Sequence, residues 1–175
     1  PVMGESPFAG GYRMRLGCSR TRGDDGNVRQ AMAYAIDYPT AATAINGEDG
    51  KPANRGVLGP SFKGFDDSIA MLEYNAETAK SMLDAAGYVD ADGDGWRALP
   101  DGGKMDLSVI PQYSRSMEVR SRLGEIVCKS LQNVGVHCPI DEEAIPHSEI
   151  WADKVTKEES DISITFTPPG MLYST

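Results

Sequence analysis

The sequence predicts an α/β fold, a sheet covered by helices, and three observations carry that expectation. From Met105 onward, segments of period two alternate with segments of helical period in the order strand, helix, strand, helix, strand. Each helical segment is apolar along one stripe only, as a helix lying on a sheet must be. The connections between strands are long enough to be crossovers through a helix. At 175 residues, 40% of them apolar and 25% charged, the chain can bury a core of its own.

Residues 1–11 hold Pro1, Pro7 and three glycines and read as an irregular lead-in, leaving 12–175 as a single lobe. Tyr12 to Cys18 alternates, with Met14, Leu16 and Cys18 on one face and Arg13 and Arg15 on the other, the pattern of a half-buried strand. Gly23-Asp24-Asp25-Gly26 then breaks the chain, and Asn27 is placed to cap a helix. Val28, Ala31, Met32, Ala35 and Ile36 make one apolar stripe, and the helix is expected to stop near Asp37. Pro39 suits the first turn of a short second helix, Thr40 to Ile45. Between Gly47 and Phe65, five glycines and two prolines interrupt any period, and irregular segments of that length usually serve a purpose.

Asn75 caps the next helix, whose Ala79, Met82, Leu83 and Ala86 face one way and which Gly87 ends. Trp96–Leu99 and Met105–Ile110 flank Pro100-Asp101-Gly102-Gly103, a hairpin turn. The strand Leu107–Ile110 leads into the longest helix, Met117 to Val134, with its stripe on Val119, Leu123, Ile126, Val127, Ser130 and Val134 and its end at Gly135. Val136, Cys138 and Ile140 alternate as a strand, Pro146 to Lys157 is an amphipathic helix, and Asp161 to Thr167 is a last strand with Ile162, Ile164 and Phe166 on one face. There is no internal repeat and no low-complexity tract.

Composition narrows the function classes. A net charge of −9 argues against a nucleic-acid partner, which needs a basic field to displace counterions. No run reaches the roughly 18 apolar residues of a membrane-spanning helix. The start, Pro1-Val2-Met3-Gly4-Glu5, lacks the basic-then-apolar order of a signal peptide and has no initiator Met, so the chain reads as a processed or excised piece. Three cysteines, Cys18, Cys128 and Cys138, are too few for a disulfide scaffold and have no metal-ligand spacing. Cys128 on the long helix and Cys138 on the next strand are read either as a bridge or as buried thiols.

The most conspicuous motif is Asp90-Ala91-Asp92-Gly93-Asp94-Gly95, which matches the opening of a calcium loop with Asp101 at the twelfth position. Arg97 stands at the eighth position, where an apolar residue belongs, and Pro100 blocks the exiting helix, so an acidic turn is the preferred reading. Calcium on Asp90, Asp92, Asp94 and Asp101, in a structural or adhesive domain, is the alternative. Nucleophile elbows, phosphate-cradling loops and zinc helices are absent. His147 with Glu143 and Glu149 reads as solvated surface, and His137 and Cys138, adjacent on one strand, point to opposite faces. No cofactor and no catalytic residue is nominated, and the chain is expected not to be an enzyme.

Four segments in series bear a family resemblance. Val28-Arg29-Gln30-Ala31-Met32-Ala33-Tyr34-Ala35-Ile36-Asp37 resembles the "VRQAxxYAID" helix of the solute-binding proteins of ABC importers, in the oligopeptide, dipeptide and nickel class known as family 5. Pro52-Ala53 through Gly56-Val57-Leu58-Gly59-Pro60 is similar to that family's "PAxGxxP" stretch. Asn75 to Gly95 resembles its run ending in "AGY…DGDG", and Leu131-Gln132-Asn133-Val134-Gly135-Val136 resembles its helix-to-strand junction. The similarity covers nearly the whole chain but only the later of the family's two lobes.

The resemblance implies one lobe of a type II periplasmic-binding-protein fold with a mixed sheet, a fragment of the C-terminal-side lobe. It implies an extracytoplasmic protein that captures a small solute, a peptide or a peptide-like molecule, between two lobes and delivers it to a membrane permease of the ABC class. The partners implied are that solute, the permease and the second lobe of the parent chain. It also sets the acidic Asp-Gly turn before a hairpin, as the preferred reading does. In sheets of this kind ligands lie beyond the carboxyl ends of strands, which nominates Cys18 and Ser19 after the first strand, Tyr113, Ser114 and Arg115 before the long helix, and Thr167 and Met171 after the last strand. Ser114 and Arg115 offer donors and positive charge, Tyr113 and Met171 apolar contact. Peptide-binding members carry a Trp-rich stretch with an Asp for the peptide amine after the last strand; Thr165 to Tyr173 has neither residue, so recognition of a free amine is not implied.

Overall fold

The computed structural model describes residues 11–16, 25–50, 52, 54, 65–71, 73–107, 109–111, 118–139 and 161–167. Among the described residues three strands, β1 (Gly11–Leu16), β2 (Val109–Pro111) and β3 (Ile162–Thr167), form a sheet in the order β1-β3-β2. β1 pairs antiparallel with β3, and β2 pairs parallel with it, so the sheet is mixed and the strand latest in sequence lies at its centre. Burial follows from that placement. Ile162 and Ile164 face the core, and Ser163, pointing the other way, is also covered.

Among the described residues four α-helices accompany the sheet: α1 (Gly26–Ala35), α2 (Tyr38–Asn46), α3 (Ala76–Ala85) and α4 (Glu118–Gln132). The α1 stripe is buried as expected, with Val28, Ala31, Met32, Ala35 and Ile36 all in the core. The cap of α1 is Asp25 rather than Asn27, two residues earlier: the Asp25 carboxylate accepts from the Asn27 amide at 2.8 Å. α1 ends at Ala35 because Asp37 serves the next helix instead. Its carboxylate accepts from the Thr40 amide at 3.0 Å and from the Thr40 hydroxyl at 2.7 Å, while its own amide donates to Ser130 Oγ on α4 at 3.3 Å. That bond explains a polar residue within the buried stripe of α4.

Asn75 caps α3 as expected, accepting from the Thr78 amide at 3.0 Å, and its own amide donates to the Tyr34 carbonyl at 2.8 Å, tying α3 to α1. Asn75→Ala is expected to cost about 1 kcal/mol, measured by urea denaturation. α3 and α4 end alike. The Tyr88 amide reaches back to the Leu83 carbonyl and the Val136 amide to the Leu131 carbonyl, with Gly87 and Gly135 at φ of 87° and 82° between. These glycines hold the left-handed conformation that closes both helices.

The buried face of α4 is Leu123, Val127, Cys128, Ser130 and Leu131, with Ile126 only half-buried. The stripe expected from the sequence is therefore turned toward Cys128 and Leu131. The expected hairpin of two strands is reduced to a single antiparallel bridge, Ala98 with Lys104, closed by the Leu99 amide on the Gly103 carbonyl. The segment after α4 joins the Asp106–Leu107 segment by one parallel bridge, Asp106 with His137. Val136 and Cys138 point into the core between which His137 points out. Of the lead-in expected over 1–11, Gly11 begins β1 instead, and residues 1–10, like the helix expected over 146–157, lie outside the described residues.

Candidate functional site

The acidic turn holds itself together. Asp90 accepts from the Gly93 amide at 2.8 Å and from the Gly95 amide at 3.0 Å. Asp92 accepts from the Asp94 amide at 3.3 Å, and Asp94 from the Trp96 amide at 2.9 Å. Asp94 also pairs with Lys104 across the hairpin at 2.7 Å. The Lys104 hydrogen bond, and then the Trp96 amide, hold the Asp94 carboxyl below its ordinary range, and Asp94 in turn raises Lys104. Carboxylate atoms of Asp90, Asp92 and Asp94 approach within 4.8 Å of one another, but Asp101 is not in that group. The fourth member of the calcium set is thus separate, seated on the hairpin turn. The arrangement is that of a solvent-facing turn which feeds the hairpin.

What the turn feeds is Arg97. Its guanidinium is 9% exposed and fans out under the ends of two helices. Nε donates to the Val134 carbonyl at 2.6 Å, Nη1 to the Tyr88 carbonyl and to Asp84 Oδ1, the latter at 2.5 Å, and Nη2 to the Lys80 carbonyl at 3.5 Å. Its backbone is held as firmly, with its amide on the Gly135 carbonyl and its carbonyl taking the Met105 amide, both at 2.7 Å. The Tyr88 and Val134 carbonyls, just past the ends of α3 and α4, and the Lys80 carbonyl within α3 suit such a planar fork. An open cleft of about 330 Å³ lies here, lined by Lys80, Asp84, Asp90, Arg97, Gln132 and Asn133 among others. Arg97, one of the charged residues lining it, directs its donors into protein acceptors.

Beside it, His137 Nδ1 lies 2.8 Å from Asp106 Oδ1, and Trp96 meets the imidazole edge-on at 4.9 Å between centroids. Cys138 points the other way into the core, so the expected separation of these neighbours holds. Cys128 and Cys138 are both buried thiols.

The sheet determines where its loops leave. In the β1–β3 ladder Leu16 lies opposite Ile162, and Gly11 opposite Thr167. The chain therefore leaves β1 at the edge where β3 begins. β2 and β3 run parallel, with Val109 opposite Ile162 and Pro111 opposite Ile164, so both leave the sheet toward the other edge. Of the nominated ligand contacts, Thr167 ends β3 at that second edge. Cys18, Ser19, Tyr113, Ser114, Arg115 and Met171 lie outside the described residues, as do His147, Glu143 and Glu149.

A helix-covered mixed sheet whose two parallel strands release their loops at a common edge is the architecture of a ligand-binding α/β lobe. Residues 3–171 match the model of the bacterial extracellular solute-binding proteins, family 5, middle region, and the chain belongs to that family. It is 28% identical over 130 residues to the heme-binding protein A of Haemophilus influenzae, an alignment covering 74% of this chain and 20% of that protein. It is 30% identical over 113 residues, 64% of this chain and 20% of the relative, to the oligopeptide-binding protein AppA of Bacillus subtilis. The structure of AppA in complex with a nonapeptide superposes with a TM-score of 0.79 at 21% identity, over 91% of this chain and 31% of that one. NikA from Brucella suis, in complex with Fe(III)-EDTA, superposes with a TM-score of 0.75 at 20% identity, over 93% and 31%. The fold is that of type II periplasmic binding proteins, and the chain spans about a fifth of the length of the curated relatives it matches. Among the described residues no helix is long and apolar enough to cross a membrane.

The family motif turns out to be structural where it is described. Val28, Ala31, Ala35 and Ile36 fill the core, Tyr34 anchors α3 through its carbonyl, and Asp37 caps α2. Sequence reasoning missed Arg97. Its signal was present, since Arg97 occupies the one position of the acidic motif that asks for a buried side chain.

Proposed function

We propose that this chain is one lobe, the C-terminal-side one, of an extracytoplasmic solute receptor of an ABC importer. It grips a small solute, a peptide or peptide-like molecule, against a second lobe of the parent protein and presents it to the membrane permease. The observation that carries this reading is the family match over residues 3–171. The relatives named for heme and for oligopeptides, and the neighbour holding Fe(III)-EDTA, share one scaffold with different cargo, so the loops set the ligand. In a two-lobed receptor the cleft buries the ligand and hinge closure reports its capture, with no covalent chemistry.

The contacts we assign to this lobe are those that follow the two parallel strands in sequence: Tyr113, Ser114 and Arg115 after β2, and Thr167 and Met171 at the end of β3 and after it. Cys18 and Ser19 follow a strand that leaves at the opposite edge and are not retained in the assignment.

One lobe supplies half the contacts. Calorimetric titration of the 175-residue chain with short peptides is expected to give affinities no tighter than about micromolar, and the two-lobed parent at least tenfold tighter. Tighter binding by the chain alone would remove the interlobe cleft. A parent that binds none of the peptides would remove the peptide class.

A further inference from the structure

We propose that Cys128 and Cys138 are a disulfide-forming pair whose bridge fastens the last turn of α4 to the extended segment after it. Both side chains are 1% exposed and lie in one core cluster, and each thiol's protonation is shifted by the other's presence beside it. The approach is built from the backbone outward. Gln132, one turn beyond Cys128 on the same helix face, donates Nε2 to the Cys138 carbonyl at 3.2 Å. The Val136 amide is held by the Leu131 carbonyl at 3.0 Å, and the His137 carbonyl by the Leu107 amide at 2.9 Å. Both thiols have apolar neighbours in that cluster, and each also has the other cysteine beside it.

The two thiols are also unequal. Contact with Cys128, together with burial, pushes the Cys138 thiol far above its ordinary value, and the hydrogen bond from Cys138 lowers Cys128. Cys128 is therefore the attacking sulfur. The oxidant is a small disulfide donor such as oxidised glutathione. The Cys128 thiolate attacks it, forming a mixed disulfide and releasing one small thiolate, which takes the proton of Cys138. The Cys138 thiolate then attacks the Cys128 sulfur and expels the second small thiolate, which takes up the proton that Cys128 gave up. Two protein thiols and one donor disulfide become one protein disulfide and two small thiols. With so little exposure, the donor reaches Cys128 during folding or through local opening of the α4 end. The family is described as extracellular, where such bridges persist.

Trypsin separates the pair, because it cuts after Arg122 and after Lys129. The protein is incubated with oxidised glutathione, alkylated in denaturant, digested and analysed by mass spectrometry. The peptides 123–129 and 130–154 are expected as one linked species that reductant splits, and reduction is expected to lower the melting temperature by about 5 °C or more. Cys138→Ser removes that sensitivity to reductant. Recovery of the two peptides separately, each alkylated or carrying glutathione, or linkage of either one to Cys18, overturns the proposal.

Discussion

Arg97→Ala is expected to destabilise the protein by about 3 kcal/mol, read as a lower urea midpoint and a melting temperature about 10 °C lower. The substitution leaves the Val134 and Tyr88 carbonyls facing a void that was filled by donors. Each orphaned acceptor carries its own desolvation cost. The pairing with Asp84 adds little, because that carboxylate is 57% exposed and regains water when released. Arg97→Lys is expected to recover less than half of the loss, since an ammonium lacks the planar fork that reaches two helix ends at once. If Arg97→Ala costs under about 1 kcal/mol, the staple is not holding α3 to α4.

Leu131→Ala is expected to cost about 3–4 kcal/mol. The side chain has no exposed surface and sits where α4 meets the core. Its backbone carbonyl, which takes the Val136 amide, is unchanged by the substitution, so the loss measures packing alone. Leu131→Met, which keeps the volume, is expected to stay within about 1.5 kcal/mol of the parent. A Leu131→Ala variant as stable as the parent would mean that the stripe on α4 faces elsewhere.

Much of the scaffold was legible because one-sided apolar spacing is a strong signal. It located the α1 stripe, the Asn75 cap and the glycines that end α3 and α4. It misjudged the rotation of α4, because Ile126 and Leu131 lie on the flanks of one stripe and only a neighbour decides which is inside. The short pairings near 98–107 were over-read, since alternation there reflects single bridges rather than full ladders.

The nominated binding edge shows a deeper limit. Period-two alternation has no polarity: a strand reads the same in either direction, so the sequence pattern placed the residues after β1 with those after β2 and β3. Only the register of Leu16 against Ile162 sets them apart. Arg97 was hidden for a different reason, because charge in a glycine-rich turn reads as surface unless its acceptors are known. Those acceptors are the Lys80 carbonyl of α3 and the Tyr88 and Val134 carbonyls just past α3 and α4, which no local pattern reveals.

The strand latest in the chain joins the other two, with Thr167 pairing back to Gly11. Until that keystone is in place, the two described strands that flank it have no common neighbour, and their edges stay bare. Assembly of this sheet is consequently governed by contacts of high sequence separation, the kind that form slowly and leave a chaperone longest to act.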